Sequence, residues 1–194
     1  MSGAHSKPNI EKPKKSLFKR VLEWGVVIVV ALVISAGIRG FALQAFFVPS
    51  GSMIPTLKIG DRILVDKIFF SASSAGRGTI VVLHHPSHDN MCGPPGEDLV
   101  KRVIATAGQT IWSQGNTVYI DGKAITESYL PRGTSLGTTP ISRQTIPKGD
   151  VYLLGDNRSI SCDSRFWGPI PTSSIVGQVV AIFWRSGHPY LHFF

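Results

Sequence analysis

Apolar positions in this chain follow two different patterns. Trp24–Ile38, WGVVIVVALVISAGI, is a run of fifteen residues without a charge, bounded by Glu23 and Arg39. At about 1.5 Å per residue such a helix spans about 22 Å, short of the roughly 30 Å hydrocarbon core of a bilayer. Extension back toward Leu17 and Val21, and past Arg39 to Phe41–Leu43 with Arg39 snorkelling outward, closes the deficit. One anchoring helix over residues 21–43 is predicted. A cleaved signal peptide shares the basic flank and the short apolar run. Arg39 directly after that run, and a first small-x-small site as late as Ala42 or Ala45, favour a retained anchor.

From residue 44 onward the pattern shortens to strands. Gln44–Pro49, Arg62–Phe70, Thr79–Leu83, Leu99–Ala105, Gln109–Trp112, Asn116–Ile120, Lys123–Ile125, Val151–Leu154 and Ile175–Trp184 alternate or run apolar over a few residues each, rich in Val and Ile. Asp121-Gly122 is a hairpin signal. Ser71–Arg77, the Pro-rich segment His84–Asp98 and Ser128–Ser142 read as loops. With no convincing soluble helix and no internal repeat, this is a mainly β domain of folded antiparallel sheets around a barrel-like core, preceded by one N-terminal transmembrane helix.

The chain has 194 residues and 43% hydrophobic content, enough for one compact domain with a small appendage. Its formal charge of +8 is unevenly placed. Lys7, Lys12, Lys14, Lys15, Lys19 and Arg20 face Glu11 alone in the first twenty residues, which hold five of those eight charges. A basic arm beside an apolar run stays on the cytoplasmic side of a membrane, and no nucleic-acid motif accompanies the charge, so nucleic acid is not an expected partner. The organisation read from the sequence is a basic cytoplasmic arm (1–20), an anchor (21–43) and an extracytoplasmic β domain (44–194). Cys92 and Cys162 are the only cysteines, which excludes a disulfide framework and leaves one bridge open.

Three segments carry candidate chemistry. Ser52 lies in PSGSMIPTL, where Gly51 permits a tight bend and Pro49 and Pro55 stiffen its flanks. Lys101 lies in an apolar strand, DLVKRVI. Adjacent strand residues point to opposite faces, so if one of Lys101 and Arg102 faces water the other faces inward. An inward lysine must be neutral or paired. A fall of roughly three pKa units makes it mostly neutral near pH 7, and a neutral amine can take the proton of a serine hydroxyl. The third segment, GDNRSISCDSRFWG over Gly155–Gly168, packs Asp and Arg against apolar neighbours, where the charges need one another.

Together these segments resemble bacterial type I signal peptidase. The Ser-Gly-Ser-Met-x-Pro-Thr-Leu box, the Arg77-Gly78-x-Ile80-Val81-Val82 strand, Lys101-Arg102-Val103 and Gly-Asp-Asn-Arg-x-x-Ser-x-Asp-Ser-Arg occur in the family's order, from about Phe46 to Trp184. The resemblance implies a membrane-bound serine endopeptidase that removes signal peptides from exported preproteins, without metal or cofactor. Ser52 would be the nucleophile and Lys101 the general base. The Ser50 hydroxyl and the Ser52 backbone N–H would form the oxyanion hole, and Ser161 would orient the lysine amine. Asp163 and Arg165 would hold the loop around the dyad, and Asp156 would pair with Arg102. Phe46, Val48, Pro49, Val82 and Val100 would line pockets for small side chains, suited to Ala-x-Ala. Independently of the family, shallow walls of Val and Pro admit alanine and reject bulk.

The implied partners are preprotein signal peptides and the lipid bilayer. The implied protein is a monomer in the bacterial cytoplasmic membrane, single-pass, with its N-terminus cytoplasmic and its catalytic domain on the outer face. General secretion and one dedicated substrate both remain open. A zinc site from His84, His85, His88, Asp89 and Cys92 fits no standard spacing. A Ser-His-Asp triad would leave Lys101 without a role. A repressor-type autoprotease is disfavoured by the apolar span and by the absence of a helix-turn-helix pattern. A non-enzymatic anchored β domain is the remaining alternative.

Overall fold

The computed structural model describes residues 17–86, 92 and 97–194, and of residues 17–20, 34, 36 and 38–42 the backbone alone. Most of the basic arm, together with His88 and Asp89, lies outside the described residues. The chain divides into two units, Met1–Phe41 and Ala42–Phe194.

Helix α1, Leu17–Ala42, lies in the first unit except for its last residue. Its described apolar side chains are exposed, from Val30 at 49% to Trp24 at 69%. Among the described residues no helix is long and apolar enough to cross a membrane. The contiguous described side chains run from Val21 to Val33, which at 1.5 Å per residue is about 20 Å.

The second unit is mainly β. Its strands are β1 (Leu43–Phe47), β2 (Arg62–Asp66), β3 (Ile80–His84), β4 (Asp98–Thr106), β5 (Thr110–Gln114), β6 (Thr117–Ile120), β7 (Lys123–Ala124), β8 (Gln144–Thr145), β9 (Asp150–Leu154), β10 (Ile170–Pro171), β11 (Ile175–Arg185) and β12 (His188–Phe193), with a single-turn helix α2 (Ser164–Trp167) after β9. A large antiparallel sheet has the order β1-β2-β11-β3-β4-β9-β10, with β12 also paired to β11, and a smaller one has the order β7-β6-β5-β8.

The large sheet is covered on both faces at its centre. In β3, Ile80 and Val82 enter one apolar cluster with Val48, Met53, Leu57, Ile63, Val65, Val179 and Ile182. Val81 and Leu83 enter another with Val103, Val151, Leu153, Trp167 and Ile170. β9 repeats this pattern: Val151 and Leu153 join the second cluster, Tyr152 and Leu154 a third beneath the small sheet. Period-two alternation therefore sends apolar side chains into a core on each side.

Local chemistry accounts for several boundaries. The strand expected over Arg62–Phe70 ends at Asp66, whose carboxylate accepts from the N–H groups of Ile68 (3.0 Å) and Phe69 (2.9 Å) and so diverts donors from the ladder. Asp121 and Gly122 both have positive φ and join β6 to β7. Ser186 and Gly187 have the same handedness and join β11 to β12, so Ile175–Arg185 is not the last strand. That Ser-Gly pair is a turn signal the apolar pattern alone does not reveal.

Candidate active site

Ser52 stands in a succession of turns between β1 and β2. The N–H of Ile54 donates to the Gly51 carbonyl (3.2 Å), and that of Leu57 to the Met53 carbonyl (3.0 Å). Met53 and Leu57 are buried and anchor the turns in the core, leaving Ser52 half-buried at the surface. Asp61 ties the end of the loop down. It accepts from the Lys58 N–H (2.9 Å) and forms a two-point ion pair with Arg185, which also donates to the Thr56 carbonyl (2.9 Å). Ser50 Oγ lies 3.4 Å from Ser52 Oγ.

Lys101 reaches this loop from β4. Its Nζ lies 3.0 Å from Ser52 Oγ, and the residue is 2% exposed. Burial pulls its pKa down from 10.5 to about 8. The charge of Asp163 acts against that fall, Arg165 adds to it, and Asp156 again opposes it. A value near 8 leaves about one lysine in eleven neutral at pH 7, short of the mostly neutral amine expected. The carboxylates of Asp163 and Asp156 oppose the full effect of burial.

Arg102, the next residue, is buried as well, at 6% exposure. Neither of the two faces water, because β4 lies between β3 and β9 in the interior of a sheet covered on both sides. Arg102 is matched by a two-point ion pair with Asp156, Nε to Oδ1 at 2.8 Å and Nη2 to Oδ2 at 2.6 Å. It also donates to the Gly78 carbonyl and lies 3.8 Å from the centre of the Tyr129 ring. Thr56 Oγ1 donates to Asp156 Oδ2 (2.5 Å), which joins this pair to the Ser52 loop.

The Gly155–Gly168 segment closes around the pair. Asp163 caps α2, accepts from the Gly155 N–H (3.0 Å) and binds Arg165 at 2.8 Å. Arg165 in turn donates to the carbonyls of Ser161 and Leu136. Ser161 is buried beside Gly155, and its Oγ finds no hydrogen-bond partner among the described residues. A Cβ on Gly155 would collide with the Ser161 side chain and the Ser52 carbonyl, so only glycine permits this approach. Asn157 lies against the Ser52 turn, its N–H donating to the Ser52 carbonyl (3.0 Å) and its Nδ2 to the Gly51 carbonyl (3.2 Å).

A cleft of about 490 Å³ opens beside Ser52 and Lys101, and Phe46, Val48, Pro49, Val82 and Val100 all line it. Its lining also includes Cys92 and Cys162, which form a disulfide with a Cα–Cα distance of 5.6 Å. Cys92 is thereby removed from the zinc reading, and among the described residues no His/Cys/Asp/Glu cluster could hold a metal ion.

Sequence reasoning missed Thr56, Asp61, Glu127, Tyr129, Asn157, Arg158 and Arg185. Arg158 binds Glu127, which accepts from the Tyr129 hydroxyl, and this fixes the loop that covers Arg102. Asp61 and Arg185 are 124 residues apart, so no local spacing could reveal their pairing. Asn157 was visible within the Gly-Asp-Asn-Arg box, but without its partner.

A family model described as signal peptidase, peptidase S26, matches residues 21–184. Signal peptidase I of Leptolyngbya laminosa is 35% identical over 182 residues, covering 93% of this chain and 85% of that protein. The probable signal peptidase I-2 of a Synechocystis species is 35% identical over 164 residues, covering 84% of this chain and 73% of that protein. Signal peptidase IB of Staphylococcus aureus is 34% identical over 181 residues, covering 86% of this chain and 91% of that protein. The match extends from α1 through the Ser52 loop, Lys101 and the Gly155–Gly168 segment to the end of β11, and the chain belongs to the signal peptidase family, peptidase S26.

Proposed function

We propose that this protein is a membrane-anchored endopeptidase that removes signal peptides from exported preproteins, cleaving after Ala-x-Ala with Ser52 as nucleophile and Lys101 as general base. The observation that carries the reading is the 3.0 Å separation between Lys101 Nζ and Ser52 Oγ, with the lysine buried and its basicity lowered. The neutral amine accepts the Ser52 hydroxyl proton as Oγ attacks the scissile carbonyl carbon. The negative oxygen of the tetrahedral intermediate is met by the Ser50 hydroxyl and the Ser52 backbone N–H. Lys101 then gives its proton to the departing amine as the C–N bond breaks, leaving an ester on Ser52. A water molecule, deprotonated by Lys101, hydrolyses that ester and restores the serine.

Asp163, Arg165, Asp156 and Arg102 hold the surrounding loops. Ser161, expected to orient the lysine, is buried against Gly155 with an Oγ that bonds no described residue, so among the described residues the lysine is aimed by its burial and its contact with Ser52 alone. Phe46, Val48, Pro49, Val82 and Val100 select small apolar side chains. The relatives named signal peptidase I support the substrate class. Membrane attachment is supported by α1, whose described apolar side chains are exposed. Val and Ile are mediocre helix formers in water, whereas in lipid every backbone donor must be paired within its own segment, and a helix does this. The anchor spans 21–43, with the basic arm cytoplasmic and residues 44–194 on the outer face.

The test incubates the purified protein with a labelled preprotein whose signal peptide ends in Ala-x-Ala. Ser52→Ala abolishes cleavage while expression and folding persist; unchanged cleavage refutes the reading.

A further inference from the structure

We infer that Asn157 is a positioning residue that aims the backbone N–H of Ser52 at the developing oxyanion, an inference that rests on the serine–lysine reading above. The Gly51–Ser52 peptide is trans, so its C=O and N–H point in opposite directions. Whatever holds the Gly51 carbonyl therefore sets the direction of the Ser52 N–H. Asn157 Nδ2 donates to that carbonyl at 3.2 Å, and the Asn157 backbone N–H donates to the Ser52 carbonyl at 3.0 Å. Both peptide planes flanking the nucleophile thus rest on one residue.

The amide is itself oriented. A carbonyl oxygen only accepts, so the atom facing Gly51 is the NH2 group. On the other side Ser159 Oγ donates to Asn157 Oδ1 at 3.1 Å. The Asn157 carbonyl accepts from the N–H groups of Ile160 (3.2 Å) and Ser161 (3.0 Å), which fixes the residue in the turn. The Ile54 N–H also reaches the Gly51 carbonyl, but within the same short turn. Only Asn157 holds that carbonyl to the Gly155–Gly168 segment. Gly51 lacks a Cβ, so little steric resistance opposes rotation of the peptide once the amide is lost.

Removing one oxyanion-hole donor outright typically costs about 100- to 1,000-fold in kcat. Loosening one costs less, and Asn157→Ala is expected to lower kcat about 10- to 100-fold with KM within about twofold. Asn157→Asp, which sets a carboxylate oxygen against the Gly51 carbonyl, should lower it further. Ser159→Ala should give the smallest loss.

The experiment uses the full chain in detergent micelles and an internally quenched Ala-x-Ala peptide. The affinity of a peptide boronate that forms a tetrahedral adduct on Ser52 is measured beside that of a non-cleavable peptide of the same sequence. The boronate should lose affinity in Asn157→Ala by about the same factor as kcat/KM, the non-cleavable peptide should not, and the pH of half-maximal kcat/KM should stay in place. Thermal unfolding controls for folding, and Ser159→Ala is the milder variant should Asn157→Ala fold poorly. An unchanged kcat, or a loss seen equally in both affinities, overturns the inference. If Ser52→Ala retains cleavage, the dyad reading itself fails; if Ser52→Ala is inactive and Asn157→Ala fully active, only the role of Asn157 fails.

Discussion

Replacing Lys101 with methionine should abolish activity yet make the protein more stable at neutral pH. In the folded chain burial lowers the lysine pKa to about 8, against 10.5 when exposed. Below pH 8 the amine is charged in both the folded and unfolded chains, and the folded state carries the cost of a buried charge, about 3 kcal/mol at 1.36 kcal/mol per pKa unit. Between pH 8 and 10.5 the unfolded chain binds a proton that the folded chain does not, so stability rises with pH by up to about 1.4 kcal/mol per unit. Above 10.5 both are neutral and the cost has gone. Methionine fills a similar apolar volume without charge and gives up one hydrogen bond to Ser52, worth about 1 kcal/mol. Lys101→Met should therefore exceed the wild type by about 2 kcal/mol at pH 7 and lose that margin by pH 10.

Denaturant unfolding followed by the fluorescence of the four tryptophans, with both proteins in the same micelles across pH 6–10, measures the difference while other titrations cancel. The same ionisation should appear in catalysis. Wild-type kcat/KM should rise about tenfold between pH 7 and 9 through a group titrating near 8. Lys101→Arg, whose guanidinium stays protonated throughout, should be inactive. A stability difference that stays flat with pH, or a methionine variant no more stable than wild type at pH 7, would refute the argument that burial depresses this lysine.

Gly155→Ala places a methyl group into the Ser161 side chain and the Ser52 carbonyl. Peptide cleavage should fall more than 100-fold, with roughly 1–3 kcal/mol lost from overpacking; near-normal turnover would show that the loop can yield. Replacing both Cys92 and Cys162 with serine opens a loop of sequence separation 70 and should cost about 4 kcal/mol on the chain-entropy account. Unfolding with and without reductant checks this: the reductant should destabilise the wild type and leave the double variant unchanged.

The chemistry-bearing boxes were legible because each is a local arrangement. A Ser after Gly between two prolines, a Lys inside an apolar strand and an Asp/Arg-dense segment are contiguous in the chain, and hydrophobic periodicity placed nearly every long strand within a few residues. The failures were of two kinds. Side-chain capture of backbone donors by Asp66 shortened β2, and the Ser186-Gly187 turn added β12; both are single-residue effects that an apolar pattern averages away. The rest depended on partners distant in sequence. That Lys101 and Arg102 are both buried follows from cores on both faces of the sheet, which alternation along one strand cannot reveal. The pKa of Lys101 is a balance between desolvation and the charges of Asp163, Arg165 and Asp156, and only the packing brings those groups together. The sequence by itself determined which groups could react; the tertiary structure decided which of them meet, how dry their surroundings are and which backbone dipoles face the nucleophile, because burial and electrostatics depend on distances the linear chain does not contain.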